Sequence, residues 1–199
     1  MSAPAPTPSV QELRALFGPV LLRAVIYLAF GLTTVFWQEP TLTVVRWGIG
    51  LFMILQGVAL IYMQRSLTER AWGHGNTHSR VIQSYAILYL VGGVATTAFS
   101  GSLPILVLVV GLIFSIGGVT ELLQGFRAAG ASAMARDWKI AGVVTFLTGI
   151  VLFMIGDLGP KAAFGITGGG AIIVGIFMVL AALTFRHDAA SADSAKLDT

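Results

Sequence analysis

Long apolar stretches alternate with short polar breaks along the whole chain. Continuous apolar windows run over residues 19–37, 42–63, 81–100, 103–125, 139–157 and 161–185. Each is close to the roughly 20 residues a helix needs to cross the hydrocarbon core, so six transmembrane helices are expected across residues 19–186. Ahead of them, an Ala/Pro-rich start is followed by Leu13, Leu16 and Phe17 at helical spacing. Residues 1–18 are therefore expected to hold a disordered tip and a short interfacial helix. The first apolar stretch is as long as a span and no small-residue cleavage site follows it, so a cleaved signal peptide is not expected. Residues 187–199 are small and polar, and a disordered tail is expected there.

Glycines impose a second pattern on the apolar one. Gly31, Gly50 and Gly57, then Gly92, Gly111 and Gly118, then Gly149, Gly168 and Gly175 recur with spacings of 19 and 7 each time. A proline falls inside each set, at Pro40, Pro104 and Pro160, where a turn between spans is needed. The repeating unit is a helical hairpin, with copies at 19–63, 81–125 and 139–185. A unit with two spans enters and leaves on one side, so the copies are expected to be related by a pseudo-threefold axis along the membrane normal. The fold class is all-α, and the nine glycines are assigned to helix packing, since small residues let backbones approach in lipid. Gly165 with Gly169, Ala171 with Gly175, and Gly117 and Gly125 around Glu121 are read the same way.

Composition removes whole function classes. Hydrophobic residues make up 56% and charged residues 11%, where a soluble domain carries about a quarter charged, and mean hydropathy is +0.85. No cysteine is present, which excludes disulfides, thiolate metal sites and nucleophilic Cys chemistry. Arg14, Arg23, Arg65, Arg70, Arg80, Arg127, Arg136, Lys139, Arg186 and Lys196 lie on the side of the termini and even connections, against Arg46 and Lys161 on the other. That bias puts both termini in the cytoplasm. The net charge of +3 is scattered over short loops, which argues for lipid headgroups and against nucleic acid.

Little chemistry is visible within the spans. Glu121 stands out, because an acidic side chain at a helix centre costs about 2.5–3.5 kcal/mol to insert. It is read either as a proton-responsive carboxylate or as a charge that snorkels or pairs with Arg23 or Arg127. Arg23 and Arg46 lie near opposite faces, and Arg46 has Glu39 within reach around the first turn. Asp157 and Lys161 bracket the third turn as a solvated pair. His74 and His78 have a metal-like spacing, but Gly73 and Gly75 argue against a helix there, so no metal site is assigned and pH sensing stays open. The three histidines all lie in loops or the tail, leaving no base for a nucleophile, and no phosphate loop is present. Tyr27, Trp37, Trp47, Tyr62, Trp72 and Trp138 are expected as an aromatic belt, and no cofactor is assigned.

Three stretches carry a family likeness: Leu22-Arg-Ala-Val-Ile-Tyr-Leu-Ala-Phe-Gly31 with Glu39-Pro40, then Gly111-Leu-Ile-Phe-Ser-Ile-Gly-Gly118-Val-Thr-Glu121, then Trp138 through Gly149 to Leu183-Thr-Phe-Arg186. Over residues 20–186 the chain resembles the HdeD-like acid-resistance membrane proteins. It departs from them at Ser84-Tyr85 and at Gly159-Pro160-Lys161 with Asp157. The resemblance implies a non-enzymatic, stress-linked protein of the bacterial inner membrane and offers no catalytic residues to carry over. Two other expectations stand beside it: an accessory subunit of a larger membrane complex, docking other membrane proteins or its own copies through glycine faces, and a small channel or transporter.

Overall fold

Ser9 opens the first helix, its hydroxyl accepting from the Glu12 amide at 3.1 Å. The structure, a computed structural model, describes residues 9–72, 77–130, 132–154 and 158–197. Six helices follow one another: α1 Val10–Phe36, α2 Leu42–Leu67, α3 Thr77–Phe99, α4 Leu103–Arg127, α5 Ala135–Met154 and α6 Pro160–Leu197, with one π-helical turn at Thr68–Trp72 after α2. All six are long and apolar enough to cross a membrane. The turns begin where the sequence places its prolines: Pro40 precedes the Thr41 cap of α2, Pro104 sits in the first turn of α4, and Pro160 opens α6. Gly159, at φ +91°, makes the last of these turns in a backbone region that L side chains avoid.

Two expectations about the ends are corrected. The residues assigned to a separate interfacial helix are continuous with the first span in α1, despite Pro19. Proline lacks the N–H that would bond to the carbonyl four residues earlier, and Ser66 of α2 fills that place, donating to the Ala15 oxygen at 2.9 Å. At the other end α6 runs on through the expected tail to Leu197, its Ala-rich composition favouring helix once the apolar turns before it are formed. Residues 1–8 lie outside the described residues.

Each helix packs against its neighbours in the chain, and α6 closes on α1. The most extensive contacts are α1 with α6, α2 with α3, and α4 with α5, so the closest packing joins successive hairpins, not the two helices within one. Glycine explains the closeness. A Cβ on Gly31 would lie 2.9 Å from the Gly168 oxygen, one on Gly93 2.6 Å from the Gly50 oxygen, and one on Gly149 2.7 Å from the Gly111 oxygen. The interior is filled by aromatic rings from five helices. Phe30 stacks on Phe52 at 4.4 Å, Tyr89 on Phe114 at 6.2 Å, and Tyr27 and Phe164 meet this pair of stacks edge-on.

Candidate functional site

Arg23 lies midway along α1 on the face that also carries Leu16, Val20, Tyr27 and Phe30, so the helix turns a charge into the protein interior. It is 0% exposed, and nothing apolar can stabilise it there. Its Nη2 donates to Glu121 Oε1 of α4 at 3.0 Å, and its Nε donates to Gln56 Oε1 of α2 at 3.2 Å. Gln56 Nε2 in turn donates to the Arg23 carbonyl at 3.2 Å, so one amide holds both the side chain and the backbone of the arginine. The Arg23 guanidinium carbon also lies 5.9 Å from the Tyr27 ring centroid. Three helices therefore fix a single ion pair, through charge-assisted bonds of good length.

Tyrosines from α3 complete the wall. Tyr85 and Tyr89, ring centroids 4.8 Å apart, rest against Gly117, where a Cβ would come within 3.0–3.1 Å of both rings. Gly117 thus makes space for two aromatic rings one turn before Glu121. Among the described residues, Arg23 Nη1, Tyr27 Oη, Tyr85 Oη and Glu121 Oε2 are buried and make no hydrogen bond of full geometry. Two voids of about 10 Å³ adjoin the cluster, one lined by Tyr85, Thr120, Glu121, Gln124 and Trp138, the other by Tyr27, Tyr89, Thr145, Thr148 and Thr167. A much larger groove, about 730 Å³, lies between α1 and α2, but its lining of Val25, Phe30, Trp37, Trp47 and Leu51 is apolar and mostly exposed, as suits a lipid-facing surface.

The structure brings Glu121 to Arg23 and leaves Arg127 exposed, so the carboxylate pairs inward and does not snorkel. No ion pair joins Arg46 to Glu39 among the described residues, and Arg46 Nε is buried without a partner. His74 and Asp157 lie outside the described residues, and His78 falls in the first turn of α3. Of the expected aromatic belt, Trp37, Trp47 and Tyr62 are half-exposed, but Tyr27 and Trp138 are core residues. Tyr27 turns inward because it shares the helix face of Arg23; Trp138 is held in the core by the start of α5.

The glycine assignments also sort by geometry. Gly31, Gly50, Gly57, Gly111, Gly118, Gly149, Gly168 and Gly175 lie where a Cβ would first strike a helix of a neighbouring hairpin. Gly92 does not: it faces Ile113 and Met53 in the interior, and Gly93 takes its place against Gly50. Gly165 and Gly169 have nothing within 4 Å of a Cβ among the described residues, so this pair faces outward into open space. Gln56, Tyr85 and Tyr89 are site residues that sequence reasoning passed over. Gln56, a lone amide at the centre of an apolar span, was the available signal.

The family model for a short repeat of unknown function, DUF308, matches twice, over residues 22–97 and 84–154. No curated protein and no solved structure matches the chain. The two matches together run from α1 to the end of α5, and with the apolar helices and internal repetition they cover, they show that this chain is a membrane protein belonging to the DUF308 family.

Proposed function

We propose that this chain is a non-enzymatic, multi-pass protein of the bacterial inner membrane that supports tolerance of acid or envelope stress, as the HdeD-like resemblance implies. The observation that carries the non-enzymatic reading is the filled interior. Among the described residues, the polar cluster around Arg23 is bounded by voids of about 10 Å³, each enough for a water and too small for a substrate. The test is a deletion strain challenged with acid and complemented by the wild-type gene. Survival equal to that of the parent strain removes the stress role.

The reading includes three equivalent hairpins about an axis along the membrane normal. Its support is that the seven-residue glycine pairs Gly50/Gly57, Gly111/Gly118 and Gly168/Gly175 all pack on the following hairpin, the last on α1. Counting back eight residues from Gly31, Gly93 and Gly149 gives Arg23, Tyr85 and Ala141; three residues after Gly57, Gly118 and Gly175 come Leu60, Glu121 and Met178. All six are buried. The polar cluster thus comes from unequal copies, the first and second supplying the charges and the third only apolar side chains. Cytoplasmic termini follow from the basic bias, and because the chain has no native cysteine, Gln38→Cys and Ala129→Cys report opposite sides. Labelling of Ala129→Cys by an impermeant maleimide from outside the cell overturns that orientation.

One observation favours a second reading, an accessory subunit of a larger membrane complex. Gly165 and Gly169 present an outward small-residue face on α6, the form that lets a foreign helix approach closely. Purification in mild detergent with the intact mass measured separates the two: a defined partner supports the subunit, and a lone chain or homo-oligomer the free protein.

A further inference from the structure

Glu121 Oε2 and Tyr85 Oη are both buried, neither makes a hydrogen bond of full geometry among the described residues, and both belong to side chains lining the same void. A buried carboxylate oxygen without a donor is a costly arrangement, and so is a buried phenol without an acceptor. The void that both side chains line measures about 10 Å³, which is the space one water needs. Water also needs two to four polar partners, and the lining supplies them. Glu121 Oε2 accepts. Tyr85 Oη donates. Thr120 and Gln124, which also line the void, are further polar residues of its wall. Leu60, Val81, Ile82 and Trp138 make up the apolar part of the wall and hold the molecule in place.

We propose that this void is a water-binding site, in which one water donates to Glu121 Oε2 and accepts from Tyr85 Oη, completing the Arg23–Glu121 ion pair. The site lies towards the end of the bundle where α3 and α5 begin, since Val81 and Ile82 are in the first turns of α3 and Trp138 in the first turn of α5. The carboxylate therefore touches an exchangeable proton donor from that end, while Arg23, itself held by Gln56, pairs with it from the other side. This goes beyond the stress reading and does not depend on it, because the water follows from the geometry of the pair whatever process the protein serves.

The test is water-to-carbon polarisation transfer by solid-state NMR on the full chain in lipid bilayers, with glutamate 13C-labelled. The Glu121 carboxyl signal is assigned by its disappearance in Glu121→Gln. The expected result is transfer from water to the Glu121 carboxyl carbon despite its burial, and loss of that transfer in Tyr85→Phe while exposed Glu39 keeps its own. A Glu121 carbon that receives no water polarisation in the wild-type protein overturns the proposal, since a direct Tyr85–Glu121 bond would then close the void. Transfer that persists unchanged in Tyr85→Phe overturns the bridging role. The wild-type measurement stands on its own if Tyr85→Phe does not fold.

Discussion

Arg23 and Glu121 are 98 positions apart in the chain and meet at 3.0 Å, each almost wholly removed from solvent. The pair ties the first hairpin to the second across the interior, and Gln56 fixes its orientation. Removing one partner leaves the other as an uncompensated buried charge, which is far worse than removing both.

Single substitutions at this pair are expected to be severe and the double substitution mild. Arg23→Ala or Glu121→Ala lowers stability by about 3–5 kcal/mol, and Arg23→Met with Glu121→Leu recovers most of the loss. Unfolding by SDS titration in bicelles measures the cycle. Additive effects would mean that the two side chains do not depend on each other.

Glycine positions separate by what a methyl group would strike. At Gly118 it meets the Phe146 backbone at 2.6 Å and the Gly142 oxygen at 2.7 Å, atoms that cannot move without parting α4 from α5. Gly118→Ala is expected to cost about 1–3 kcal/mol, and Gly165→Ala, in open space, close to nothing. The same comparison tests the register of α3. Gly93→Ala meets the Gly50 carbonyl, whereas Gly92→Ala meets the flexible ends of Ile113 and Met53, so the first is the more damaging. Thermal melts ranking Gly92→Ala as the worse would refute that register.

Ser66 and Pro19 form a compensated pair. The Ser66 hydroxyl occupies the Ala15 carbonyl that Pro19 leaves without its helical donor. Ser66→Ala is expected to destabilise by about 1–3 kcal/mol, and adding Pro19→Ala, which restores a backbone N–H, to return part of it. If Pro19→Ala rescues nothing, the hydroxyl serves some other purpose.

The start of α1 is clasped to the connection between α4 and α5. Glu12 Oε1 accepts from Ser132 Oγ at 2.7 Å and from the Ala133 amide at 3.3 Å. Hydrogen bonds to a charged group contribute about 1.5–3 kcal/mol, so Glu12→Ala is expected to raise amide exchange around Ala133 and at the start of α1. Exchange by mass spectrometry in nanodiscs reads this directly, and faster exchange spread evenly over the chain would point to general destabilisation.

The sequence by itself determined the elements. Span number, turn positions at Pro40, Pro104 and Pro160, and the internal glycine period are one-dimensional properties, set by apolar length and by residues that cannot continue a helix. Which side of each helix faces inward was not legible in the same way. In a soluble protein the polar face marks the outside, but here lipid and core are both apolar, so hydrophobic periodicity carries almost no directional signal. Hence Tyr27 and Trp138 turned out to be core residues, Gly93 replaced Gly92 in the packing ladder, and Gly165 with Gly169 faced outward. Glu121 and Arg23 were visible as charges within apolar windows. That they share one site with Gln56, Tyr85 and Tyr89 was decided only when six helices closed into a ring and the desolvated charges had to find one another.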